Sequence, residues 1–216
     1  MPFNLARNLV WLVLFLGVLV GFARLTALRW WQVPTNDSDL AASVAPTLGA
    51  GDWVILWRLT PAGFGDLVLC PDPEEPGEIV IGRIAGEAGD QVTINDHGDI
   101  EVNGARMRSE RSCKQGQITV DHPRSGDAVE LRCDIETLGG VHHERALMPS
   151  DDLKPLSVKT EVDAGNLYLI SDNRHFPFDS RDFGGVPRAS CSETVVFRLV
   201  SRLGFTHVES RLSWIQ

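Results

Sequence analysis

The chain has 216 residues, 23% of them charged and 43% hydrophobic, and a formal net charge of -9. That length and balance suit one well-packed domain with additions and exclude a disordered chain. The acidic balance, with no run of Lys or Arg, excludes a nucleic-acid binder, whose affinity needs basic patches.

In chain order, residues 8–23 carry no charge and lie between Arg7 and Arg24. The run is short for a bilayer, which takes about 20 apolar residues. Thr26, Ala27 and Leu28 extend it if Arg24 snorkels, and Trp30 and Trp31 would then sit in an interfacial belt. A cleaved signal peptide is the competing reading, but no small-x-small site follows directly. The retained, single-pass anchor is the expectation, with boundaries 1–31. Residues 32–40 read as a polar linker coming off the membrane.

From Asp52 the pattern becomes strand-like. Trp53 to Trp57, Leu67 to Cys70, Ile79 to Ile81 and Gln91 to Ile94 are short β-branched or aromatic runs bounded by Gly, Pro and Asp. Asp99 to Val102 followed by Asn103-Gly104 predicts a hairpin. Residues 105–162 are more polar and irregular, and read as an inserted subdomain between core segments 32–104 and 163–216. Strand character returns at Asn166 to Ile170 and at Glu193 to Val200. The apolar tail residues Leu203, Phe205, Leu212 and Trp214 suit either the sheet or lipid.

The four cysteines lack Cys-x-x-Cys spacing, and His142-His143 has no ligand-spaced cysteines, so no metal site or cofactor is expected. Cys113 and Cys133 are either a disulfide or two small buried thiols.

The most distinctive stretch is Ser171-Asp172-Asn173-Arg174-His175-Phe176-Pro177-Phe178-Asp179-Ser180-Arg181-Asp182-Phe183-Gly184. It is rich in turn formers, and Arg174 and Arg181 are placed to fork onto Asp172, Asp179 or Asp182. By itself it reads equally as a surface turn laced with ion pairs. Two further stretches stand beside it: Ser43-Val44-Ala45-Pro46-Thr47-Leu48-Gly49-Ala50-Gly51-Asp52, and Gly82-Arg83-Ile84-Ala85-Gly86-Glu87-Ala88-Gly89-Asp90. Taken in chain order, 43–52, 82–90 and 171–184, the three boxes resemble those of the type I signal peptidases, and the resemblance runs from about Leu40 to the C-terminus. Glu136 to His143 is also similar to a segment of that family's accessory domain.

The resemblance implies a mostly β fold of coiled antiparallel sheets, with one N-terminal transmembrane helix and an inserted accessory β subdomain. It also implies a membrane-anchored serine endopeptidase that removes signal peptides from exported preproteins. The setting would be a bacterial inner membrane with the globular part outside the cytoplasm. The partners would be the bilayer and extended preprotein segments added along a sheet edge. Ser43 takes the nucleophile position, while Asp172, Asn173, Asp179 and Arg181 support the site.

The base does not carry over. In the family a lysine kept neutral by burial activates the serine. Gly82 stands at its position and has no side chain to accept a proton. Pro177 stands where a serine orients that lysine, and Ala41 where a second oxyanion donor sits. His175, close to Asp172 and Asp179, is the surrogate base to consider, ahead of Lys154 and Lys159; an exposed loop histidine is its plain reading. Three functions therefore stay open: a peptidase with an unrecognised base, an inactive relative that binds extended peptides as a chaperone or assembly factor, and an inert envelope protein.

Overall fold

The computed structural model describes residues 3–148, 157–207 and 210–215. Helix α1 (Phe3–Thr26) carries the apolar run. Its 18-residue stretch from Arg7 to Arg24 has mean hydropathy 1.6, and none of it is buried against the rest of the chain. By length and composition it is a candidate membrane span. Thr26 Oγ1 donates to Phe22 O in its last turn, and only Ala27 separates the helix from strand β1 (Leu28–Gln32). Leu28 therefore pairs with Trp57 in a sheet instead of prolonging the anchor. The linker expected over residues 32–40 shrinks, because α2 (Ser38–Ser43) follows soon after.

Strands are numbered in chain order. β1 edges a sheet of eight strands that continues through β2 (Trp53–Trp57), β14 (Glu193–Val200), β3 (Leu67–Pro71), β4 (Ile79–Glu87), β12 (Asn166–Ile170) and β13 (Val186–Pro187). β15 (Ser213–Trp214) pairs with β14. A four-stranded sheet runs β11 (Val158–Glu161), β5 (Gln91–Ile94), β6 (Ile100–Val102), β7 (Ala105–Arg106). A three-stranded sheet runs β10 (Val141–Leu147), β9 (Ala128–Leu138), β8 (Arg108–Asp121). All of these pairings are antiparallel. The mostly β class is the one implied by the sequence.

Local chemistry accounts for the elements. β2 alternates, with Val54 and Leu56 fully buried and Trp53 exposed. β4 and β12 lie inside the sheet and are buried almost throughout, Arg83 of β4 included. Asn103 and Gly104 take φ of 51° and 81°, the left-handed pair that a tight hairpin turn needs between β6 and β7.

Residues 108–147 depart from the expected irregularity, since they form three long strands. The inward positions of β9 are Leu131, Cys133, Glu136 and Leu138. A buried glutamate and a bridged cysteine interrupt the apolar alternation, which hides the period from a pattern reading.

Two disulfides are present, Cys113–Cys133 and Cys70–Cys191. The second joins residues 121 apart, and nothing in their sequence spacing indicated it.

α2 packs Leu40, with Val44 and Leu48 just beyond it, against Val54, Leu56, Leu69, Ile81 and Val195 of the main sheet. Each such side chain, when fully buried, contributes about 1.5–3 kcal/mol. This packing fixes the height of Ser43 over the sheet.

Candidate active site

Asp37 caps α2 by accepting a hydrogen bond from Leu40 N (2.9 Å). The six-residue helix ends at Ser43, which is completely buried. Its Oγ donates to Leu40 O at 2.8 Å, back along its own helix. That hydroxyl's hydrogen bond is thus made to the backbone of its own helix.

Asn173 docks the long loop onto this helix. Its backbone N donates to Ser43 O (2.9 Å) and its Nδ2 to Ala42 O (2.9 Å). Its Oδ1 accepts from His175 N and Phe176 N, both at 3.0 Å, which closes the turn. Asp179 caps α3 (Ser180–Phe183) and accepts from Arg181 N and from Ser171 N (2.8 Å). The Arg181 guanidinium forks onto the same carboxylate at 2.9 and 2.7 Å. Burial alone would push the Asp179 carboxyl up, but Arg181 and these donors hold it below the usual carboxylate range.

Gly82 lies in β4 opposite Val68. A Cβ built there would meet Leu169 Cβ at 3.1 Å and Ile170 O at 3.2 Å. The neighbouring strand β12 thus leans into the space beside this residue, and any side chain there would have to push it back. His175 and Pro177 line a cavity of ≈ 650 Å³ together with His97, His122 and Arg132; Ser43 is not part of its wall. The His175 ring lies 4.3 Å from that of Phe176, centroid to centroid. Lys159 is exposed on β11, and Lys154 lies outside the described residues. A second cavity of ≈ 500 Å³ is lined by Ala41 and Ala42 of α2, by Ala45 just beyond it, and by Ile118 and Val120 of β8.

A buried ionic cluster beneath the loop was not visible in the sequence. Arg83 Nε donates to Asp172 Oδ1 at 2.7 Å, with both side chains fully buried. His143 Nε2 stands 3.2 Å from Glu136 Oε2 and 3.6 Å from Asp172 Oδ1. Glu136 also takes Arg145 Nη1 at 2.9 Å and pairs with Arg174. Arg174 thus pairs with β9 of the three-stranded sheet, not with Asp172 or Asp182 of its own loop. Burial works against ionised Glu136, but Arg174, His143 and Arg145 outweigh it and hold the carboxyl at about 2. Burial first, then the Arg83 charge, pushes the His143 imidazole below its ordinary value. Only the neighbourhood of Glu136 and His143 in one accessory-type segment hinted at this cluster.

No metal-binding constellation is available in the one close group among the described residues. It comprises Cys113, Cys133 and Glu144, but its two sulfurs are bonded to each other. A disulfide offers no thiolate to a metal.

The family model described as "Signal peptidase, peptidase S26" matches residues 6–200 of the chain. No curated protein matches it.

Proposed function

This chain belongs to the signal peptidase family, peptidase S26, and on that premise we propose that it holds extended signal-peptide segments of exported preproteins without cutting them. Signal peptides are the substrates this family membership implies. The observation that carries the uncut reading is the state of Ser43: a fully buried hydroxyl committed to Leu40 O, in a chain with Gly82 at the position of the family's lysine. A serine whose hydroxyl is given to a backbone carbonyl, and not to a base, is a poor nucleophile. The close approach of β12 supports the same reading, because even a Cβ at Gly82 would need Leu169 and Ile170 to give by a few tenths of an ångström. Pro177 adds to it, having no donor with which to orient a base.

In this proposal α1 is a retained single-pass anchor in a bacterial inner membrane, and the sheets lie on its extracytoplasmic side. The protein acts there as a chaperone or assembly factor. Asn173, Asp172, Asp179 and Arg181 keep the loop in the shape that once positioned a base, and now serve the groove.

The test uses detergent-purified full chain, a model preprotein and the Ser43→Ala variant. Cleavage is read on a gel and binding by photocrosslinking. The expected result is no cleavage by either protein and equal crosslinking by both. Cleavage that disappears in Ser43→Ala would overturn the proposal and restore the serine endopeptidase reading. His175→Ala is then the next variant, since His175 sits in the same loop as Asp172 and Asp179.

A further inference from the structure

The turn end of the β8–β9 hairpin lies across both cavities. His122 and Pro123 line the ≈ 650 Å³ cavity and also the ≈ 500 Å³ one. They form the partition between a space bordered by Phe176 and Pro177 and a space bordered by Ala41, Ala42 and Pro46. Without that partition, one groove would run along α2 from the tail side to the loop that contains His175.

The partition is held down lightly. Ile118, Val120, Val129 and Leu131 of the hairpin pack on Ala42, Ala45 and Phe176 in the smallest of the apolar clusters. The His122 ring rests edge-on against Phe176, with centroids 5.0 Å apart. Arg202 and Asp121 pair across the rim at 3.6 Å, but both are more than half exposed, so water and salt screen them. The turn itself is self-contained: His122 N donates to Asp127 O, and Gly126 N to His122 O, both at 2.8 Å. It can therefore move as a body without losing its own hydrogen bonds.

The foot of the hairpin is fastened differently. The Cys113–Cys133 disulfide pins it, and just beyond lie the buried Glu136, His143 and Arg145. Between foot and tip the pairing breaks. Ser112 pairs with Asp134 and Gln117 pairs with Arg132, so residues 113–116 stand opposite Cys133 alone. Gly116 in this break has φ of 67° and open space where a Cβ would be. Such a break loosens the ladder and re-aims the strand beyond it. Segments with few buried contacts beyond a hinge open at the low end of the stability range.

We propose that residues 117–130, the part of the hairpin beyond the pairing of Arg132 with Leu147 of β10, form a strap that swings about the 113–116 break. In its closed position the strap is an autoinhibitory contact that covers the α2 groove, and opening joins the two cavities. The ligand that favours the open position is the signal-peptide segment of the reading above. The strap's own motion does not depend on that reading.

The test places spin labels on Ser38→Cys, at the rim of α2, and Ser125→Cys, at the hairpin turn, in the full chain in detergent. All four native cysteines are bridged, so labels attach only to the new pair. The expected distance distribution has two populations in the free protein. The longer one grows at least threefold when a saturating synthetic signal peptide is added, and also in the Phe176→Ala variant. A single distance, unchanged by peptide and by Phe176→Ala, would overturn the strap. A longer population that grows in Phe176→Ala, with no peptide binding by anisotropy, would uphold the strap and remove the signal-peptide reading.

Discussion

His143 sits where two ion-pair systems meet. From β9 it faces Glu136, from the loop Asp172, and from β4 Arg83; Arg174 shares Glu136 Oε2 with it, while Arg145 takes the other oxygen. Its imidazole is pushed below the ordinary value, first by burial and then by Arg83. The unfolded chain therefore takes up the proton first as pH falls. Stability from this group is full above about pH 6.5 and is lost as pH drops through that value toward the folded one. Glu136, Asp172 and Asp179 are held below their unfolded values, so their contribution is present above about pH 4 and is lost on further acidification. The urea midpoint of the wild type is predicted to fall in two stages between about pH 7 and 3. His143→Gln removes the upper stage and leaves the lower. An unchanged upper slope in that variant would show that His143 is not the group responsible.

At the scale of elements, the two disulfides close very different lengths of chain. Cys70–Cys191 ties β3 to the turn before β14 across 121 residues, whereas Cys113–Cys133 spans 20 within one hairpin. Chain-entropy reasoning gives about 5 kcal/mol for the long bridge and about 3 kcal/mol for the short one. The Cys70→Ser, Cys191→Ser double variant is expected to lose more stability in guanidinium than the Cys113→Ser, Cys133→Ser variant. The reverse order would mean that the hairpin foot carries more of the fold than its loop length implies. The same elements explain the loop's rigidity. Asp179 is at once a helix cap, an acceptor for Ser171 N and one half of a buried pair. Breaking such a pair by removing one partner typically costs about 3–5 kcal/mol.

For the whole molecule, the decisive feature is the junction of anchor and sheet. α1 is exposed along its apolar length, and one residue later the chain is already in β1. Arg24 lies over the Trp30 ring, 4.4 Å from its centroid, at the place where a headgroup layer would begin. Trp53 and Trp214 are also exposed. The full chain is expected to stay with membranes through alkaline carbonate extraction, and a chain lacking residues 1–26 to be released in large part. Extraction of the full chain by carbonate would rule out the retained anchor. An N-terminus found past residue 26 in the mature protein would favour the cleaved signal.

The β character, the apolar N-terminal helix, the Asn103-Gly104 turn and the Asp179–Arg181 loop are legible in the sequence, because each is written in neighbouring residues. Short β-branched runs, an uncharged apolar stretch, a left-handed turn pair and a cap two residues from its arginine are all local signals. The sequence also exposed the gap at Gly82, since a missing side chain is visible without coordinates. The fold sets the rest: β12 comes close against Gly82, Ser43 gives its hydroxyl to Leu40 O, and Arg174 reaches Glu136 rather than its own loop. The Cys70–Cys191 bridge and the long accessory strands belong there too. Each depends on which distant strands are brought side by side, and a buried charge takes its partner from the fold, not from its neighbours in the chain.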